Sequence, residues 1–169
     1  MAETLDPALP TEVQDLAEKV LDLAHDRKLR LATAESCTGG LLAALLTDVR
    51  GRGHVFERGF VVYSKEAKCD LLGLDRGMVE KCGAVSKEIA VAMARGALHR
   101  SQAQIAIAIT GFAGPAGEND EEGLVHFACA RDGHEPCHRE EHFGPIGRQG
   151  VRLASLEVAL EMLKAGLRA

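Results

Sequence analysis

The run Gln104-Ile105-Ala106-Ile107-Ala108-Ile109 is apolar at every position after its glutamine. A strand sends successive side chains to opposite faces, so this run is buried only if both faces are covered. It predicts a central strand with helices packed on either side and excludes a sheet with one wet face. The rest of the chain supplies those layers. Val13, Leu16, Val20 and Leu23 recur at helical spacing after Thr11, and Gln14 stands where it completes a capping box, so a helix is expected over 11–27. A strand over 29–34 follows. A helix then runs to about Asp48, where Arg50-Gly51-Arg52-Gly53 breaks it.

Phe60-Val61-Val62-Tyr63 reads as a short strand that Tyr63 ends, and Ser64 is a good N-cap for a helix over 65–72 closed by Gly73. Ser86 caps a second helix, from Lys87 to about His99, with Ile89, Met93 and Ala97 on one face. Leu124 to Cys129 and about Cys137 to Phe143 read as antiparallel strands joined through Asp132-Gly133. Leu153, Leu156, Leu160, Leu163 and Leu167 form a stripe along a last helix that starts near Gly147. This order of elements predicts an α/β fold, a three-layer α/β/α sandwich with a mixed sheet.

At 169 residues one domain is expected over 1–169, with a loose lead-in over 1–10. The net charge of −5 argues against nucleic acid as a partner, since nonspecific binding needs a basic footprint. With no apolar run near 18 residues and no basic, apolar leader, neither a membrane span nor a secretory signal is expected, which places the chain in the cytoplasm. Five cysteines without a CxxC pair fit reduced thiols.

In open α/β sheets ligands sit beyond the carboxyl ends of the strands. Three stretches fall there: Ala34-Glu35-Ser36-Cys37-Thr38-Gly39-Gly40, Tyr63 with the helix carrying Lys65 and Lys68, and the glycine-rich loop Thr110-Gly111-Phe112-Ala113-Gly114-Pro115-Ala116-Gly117. The first reads as strand, turn and helix start. Its free amides and positive helix end suit either a phosphate or a developing oxyanion. Cys37 has no histidine neighbour in sequence to activate it, and free cysteine more often packs in a core. His134, Cys137, His138 and His142 resemble a metal cluster only superficially. On a strand, His138 and His142 lie about 13 Å apart and Cys137 faces the other way, so they read as solvated edge residues, and no metal or other cofactor is expected.

Four blocks in this order resemble one known family. They are the Ala34 to Gly40 stretch, Phe56-Glu57-Arg58-Gly59-Phe60-Val61-Val62-Tyr63-Ser64-Lys65-Glu66-Ala67-Lys68, Gly83-Ala84-Val85-Ser86, and Thr110-Gly111-Phe112-Ala113-Gly114-Pro115. Together they look like the C-terminal domain of the CinA (competence/damage-inducible) proteins, whose stand-alone members are nicotinamide-nucleotide amidohydrolases. The resemblance covers almost all of residues 11–165. It implies hydrolysis of the carboxamide of nicotinamide mononucleotide to the carboxylate and ammonia, without metal, in pyridine-nucleotide salvage. It also implies an α/β/α fold and a homodimer or higher homo-oligomer. Larger members carry a molybdopterin-binding-like domain ahead of this one, for which 169 residues are expected to leave no room. Where the family usually has Gly-Pro-x-Gly-Gly and then Lys-Pro-Val-Gly, this chain has Gly114-Pro115-Ala116-Gly117-Glu118 and Glu121-Glu122-Gly123-Leu124.

Amide hydrolysis needs a nucleophile, a base, oxyanion donors and an acid for departing ammonia. Read through the resemblance, Ser36 is the nucleophile, with amides of Thr38, Gly39 and Gly40 as donors; the alternatives are a helix cap or a phosphate ligand. Lys68 is the base; spacing alone does not choose it over Lys65. Tyr63 donates to the leaving group, orients Lys68, or is simply a strand-end aromatic. Thr110, Gly111 and Gly114 contact the nucleotide or shape a tight turn. Glu35 orients Lys68 or a ribose hydroxyl, or is an ordinary paired carboxylate. The family's arginine near the last helix falls on Arg148 in preference to Arg152, to clamp the 5′-phosphate. Two other readings stand beside this one: a noncatalytic nucleotide-binding or regulatory module, and a structural oligomer built on the leucine stripe of the last helix.

Overall fold

The computed structural model describes residues 9–169. Five strands form one sheet in the order β2-β1-β3-β4-β5. They are β1 (Leu31–Glu35), β2 (Phe56–Val61), β3 (Ile105–Gly111), β4 (Leu124–Arg131) and β5 (Cys137–His142). The helices are α1 (Thr11–Asp26), α2 (Leu41–Asp48), α3 (Lys65–Leu72), α4 (Arg76–Cys82), α5 (Lys87–His99) and α6 (Gly147–Arg168). β1 lies parallel to β2 and β3, while β3 with β4 and β4 with β5 are antiparallel. The sheet is therefore mixed, and the fold is α/β as expected.

The central strand divides the core into two unlike halves. Ile105, Ile107 and Ile109 join Leu31, Val125 and Phe127 on a bulky face covered by α1, α2 and α6. Ala106 and Ala108 join Ala32, Ala34, Ala128 and Ala130 on a shallow face covered by α3, α4 and α5. Large side chains supply most of the burial energy, about 1.5–3 kcal/mol each, while alanines let α5 approach the sheet closely. Gly96 lets α5 pack closely on α3 as well, because an added Cβ there would collide with the Leu72 carbonyl of α3.

Most elements start and stop where local chemistry dictates. Ser64 caps α3 by accepting from the Ala67 amide, Gly73 closes it at φ 72, and Ser86 caps α5. The capping box at α1 does not form. Thr11 is already helical behind Pro10, and Gln14 donates to the Leu9 carbonyl. Leu9 is buried in the core, contrary to a loose lead-in over 1–10, whose first eight positions lie outside the described residues. β2 occupies Phe56–Val61 instead of 60–63, because an edge strand tolerates the polar Glu57-Arg58 step that made the sequence look irregular. α4, capped by Asp75, was not anticipated.

The leucine stripe of α6 belongs to the chain's own interior. Leu156, Leu160, Leu163 and Leu167 are fully buried, with Leu153 packed at the edge of the same cluster. This overturns the structural oligomer built on that stripe. No helix among the described residues is long and apolar enough to cross a membrane.

Candidate active site

Parallel pairing brings the carboxyl ends of β1, β2 and β3 to one edge of the sheet, where the chain leaves as Ser36, Val62 and Phe112. The Ser36 amide donates to the Ile109 carbonyl at 3.0 Å, fixing the serine as the first residue beyond β1. The turn closes when the Gly39 amide donates to the Ser36 carbonyl at 3.1 Å. Gly39 and Gly40 then sit at φ 61 and 98, backbone that favours glycine.

The positive end of α2 is already occupied. Glu35 is fully buried, and its two carboxylate oxygens accept from the Leu42 and Ala43 amides at 2.9 and 3.0 Å. A carboxylate at a helix start satisfies two otherwise orphaned donors and complements the dipole. Glu35 thus reaches neither Lys68 nor the cavity. Thr38, Gly39 and Gly40 form the turn without lining the cavity, and the Gly39 amide is used within it.

Ser36 faces a lysine. α3 begins four residues past β2, and its fourth residue, Lys68, turns toward Ser36 with 1% of its surface exposed. Its Nζ donates to Ser36 Oγ at 2.9 Å and to the Val62 carbonyl at 3.0 Å. No carboxylate pairs with it among the described residues. Burial holds its pKa below the ordinary lysine value, against a smaller opposing effect of Cys37 and Cys69. Lys65 differs in kind: it is exposed and lies 3.8 Å from Glu80. Cys37 is 4% exposed, and burial pushes its thiol up to about 12, so it is protonated at neutral pH and packs in the core. A thiolate nucleophile is excluded.

Ser36 and Lys68 open into a cavity of about 280 Å³, small for a ligand pocket. Tyr63, Thr110, Arg148 and Arg152 line it, with the 112–117 loop as one wall. Arg148 donates through Nε and Nη2 to the Gly114 carbonyl at 3.1 and 2.9 Å, and Arg152 donates through Nε to the Cys37 carbonyl at 2.8 Å. Both guanidinium groups keep terminal N–H donors, and neither pairs with a carboxylate among the described residues. The sequence treated these arginines as alternatives; the fold brings both to the same cavity. Asp120 is the one carboxylate in the lining.

Thr110 and Gly111 lie within β3 and not in the following loop, since both continue the ladder with β4 opposite His126 and Val125. The Thr110 hydroxyl donates to the Ala84 carbonyl at 2.7 Å, so it ties the segment before α5 to the cavity wall. Tyr63 stands two residues past β2, 70% exposed at the cavity mouth, and Lys68 is held by Ser36 and Val62 instead. The Val62 carbonyl was missed, and no side-chain pattern signals a backbone acceptor.

Comparison with known proteins gives the family. Residues 13–167 match the family described as CinA C-terminal domain. The chain is 41% identical to the nicotinamide-nucleotide amidohydrolase PncC of Escherichia coli over 155 residues, covering 90% of this chain and 93% of that protein. It is 44% identical over 161 residues to a CinA-like protein of Chlorobium phaeovibrioides, but spans only 38% of that longer protein's length. It is 47% identical over 119 residues to a putative competence-damage inducible protein of Caldicellulosiruptor bescii, a match that spans 29% of that protein's length. In three dimensions it resembles the competence/damage inducible protein CihA from Agrobacterium tumefaciens, with a TM-score of 0.92, 42% identity and full coverage of both chains. Sequence match over nearly all described residues, matching fold and a shared arrangement of elements lead to one conclusion: this chain belongs to the CinA C-terminal domain family.

Proposed function

We propose that the chain is an amidohydrolase that converts nicotinamide mononucleotide to nicotinate mononucleotide and ammonia. The observation that carries this reading is the buried Lys68 amine, 2.9 Å from Ser36 Oγ and without a carboxylate partner among the described residues. Desolvation favours the free amine, and an N–H directed at the Val62 carbonyl leaves its lone pair available to the serine hydroxyl. Ser36 Oγ adds to the carboxamide carbon while its proton passes to Lys68. The tetrahedral intermediate collapses, the C–N bond breaks, and Lys68 returns the proton so that ammonia departs. Water then cleaves the serine ester by the reverse use of the same base, releasing the carboxylate. The free terminal N–H groups of Arg148 and Arg152 suit a 5′-phosphate across the cavity, and Tyr63 at its mouth suits the pyridine ring. The 41% identity to a protein named nicotinamide-nucleotide amidohydrolase over almost its full length supports the choice of substrate.

The test is ammonia release from nicotinamide mononucleotide by the purified chain and by Ser36→Ala. Removal of a nucleophile that acts as a unit with its base lowers turnover by at least about a thousandfold. Full release by Ser36→Ala would remove the nucleophile. Tight mononucleotide binding without turnover by the unaltered chain would replace the enzyme reading with a nucleotide-binding module.

A further inference from the structure

A second group of side chains lies on the shallow face of the sheet, one strand beyond the cavity. The register of β4 and β5 sets His126 opposite Glu140 and Ala128 opposite His138, so all three polar residues project to the same face as Ala128. His126 Nδ1 lies 3.0 Å from His138 Nε2, and the imidazoles stack with centroids 5.3 Å apart. Glu140 Oε2 lies 3.8 Å from His126 Nδ1. One donor atom from each residue falls within 4.8 Å of the other two. We propose that His126, His138 and Glu140 bind one divalent transition-metal ion, with zinc the best match.

The donor set and its spacing favour such an ion. Two imidazoles and one carboxylate suit zinc, and a tetrahedral ion with bonds of about 2.0–2.1 Å holds two nitrogens about 3.3 Å apart. The two histidine nitrogens need to separate by only a few tenths of an ångström, and the exposed Glu140 side chain is free to close the remaining gap. A further layer orients that carboxylate. His142 Nε2 holds Glu140 Oε1 at 2.7 Å, and His142 Nδ1 in turn meets Glu121 Oε1 at 2.6 Å, leaving Oε2 turned toward the histidines. Outer partners of this kind are a regular feature of metal sites. His126 is 7% exposed and Glu140 is exposed, so the fourth position faces solvent and is open to water.

The site is separate from the Ser36 cavity, because none of the three residues lines it. The two are nevertheless neighbours: His126 pairs across the sheet with Thr110, which does line the cavity. The sequence grouped His138 with His134, Cys137 and His142. Only the β4–β5 register supplies the real third member, His126, from a strand whose pattern otherwise reads as core.

The experiment uses the untagged chain, stripped with a chelator, then titrated with zinc chloride by calorimetry and with cobalt chloride by visible absorption. One ion per chain is expected, with an intense cobalt band of tetrahedral type. His138→Gln and Glu140→Gln each weaken binding by at least about tenfold, and His142→Ala by about tenfold through loss of the outer partner. His134→Ala, which removes an exposed ring bonded only to the nearby Asp132 carbonyl, leaves binding unchanged. His126→Gln abolishes the site; should that buried variant misfold, the exposed Glu140→Gln and half-exposed His138→Gln carry the test. No uptake of either ion, or uptake unchanged in both of those variants, overturns the proposal.

Discussion

The parallel and antiparallel halves of the sheet treat polar side chains in opposite ways. Where β2, β1 and β3 run together, the strand ends deliver a lysine and a serine into a buried site with no carboxylate beside the amine among the described residues. Where β4 and β5 run back, the polar groups answer one another: Glu140 meets His142, and Arg139 meets both Glu141 and Glu161. The first arrangement is costly in stability and useful only for chemistry, since an unpaired buried amine shifts its own proton equilibrium. The second is the ordinary way an edge strand stays soluble. On the proposed mechanism, reactivity follows from withholding a counter-charge at one end of the sheet while supplying it freely at the other.

Lys68→Met should break that contrast with the largest effect. Methionine fills similar space but cannot accept a proton, and loss of a positioned base lowers turnover of nicotinamide mononucleotide by about 10²–10⁴-fold. The pH dependence has a definite sign. The folded pKa of Lys68 lies below the ordinary 10.5, so kcat/KM rises as pH climbs through that lowered value. Between the folded pKa and 10.5 the unfolded chain binds more protons, so stability also rises with pH across that window. Denaturant melts over the same range should show the rise in the parent and its absence in Lys68→Met. An activity profile left unchanged by the substitution would remove Lys68 from the chemistry.

Glu35→Gln should show a smaller effect, on stability first. Glu35 lies in the reactive half yet is fully satisfied, each oxygen taking one α2 amide. Glutamine keeps one acceptor and turns an N–H₂ toward the other donor, while the charge that complements the helix start is lost. A cost of about 1–2 kcal/mol is expected in urea unfolding, the range for a lost helix cap in a buried setting. Turnover should fall less than in Lys68→Met, because Ser36 follows directly on Glu35 but remains bonded to the Ile109 carbonyl. A neutral outcome in unfolding would mean that the cap does not hold the turn.

The same division explains what the sequence disclosed. Short-range signals were legible: Ser64 and Ser86 as caps, Gly73 as a helix end, and Ile105 to Ile109 as a doubly covered strand. The Ser36 turn and Lys68 were legible as blocks whose order matched a family. What escaped were partners chosen across space. Glu35 looked like a site residue because it stands beside Ser36, yet its side chain turns to a helix start seven residues on. Arg152 and Arg148 looked like alternatives because a helix periodicity does not say which rungs face a cavity. His126 escaped because partners across β4 and β5 depend on register, which no local pattern fixes. The stripe on α6 reads correctly as apolar, and the alternative that made it an oligomer interface fails because amphipathicity names a buried face and not what covers it.

The smallest effect is expected in the antiparallel half, at Glu161→Gln. Glu161 on α6 meets Arg139 of β5 at 2.9 Å, with side chains 49% and 44% exposed. In water such a pair gains little from its Coulomb attraction and loses side-chain freedom to hold the contact. Arg139 also has Glu141 as a second carboxylate, so removal of one partner leaves its charge answered. Urea unfolding should therefore shift by no more than about 0.5 kcal/mol, and turnover should not change. A loss several times larger would mean that the Arg139 network fastens α6 to β5 as a structural clamp. Polar pairing at this end of the sheet would then bear on the fold as strongly as the Glu35 cap does at the other, and the contrast between the two halves would narrow to the buried amine of Lys68.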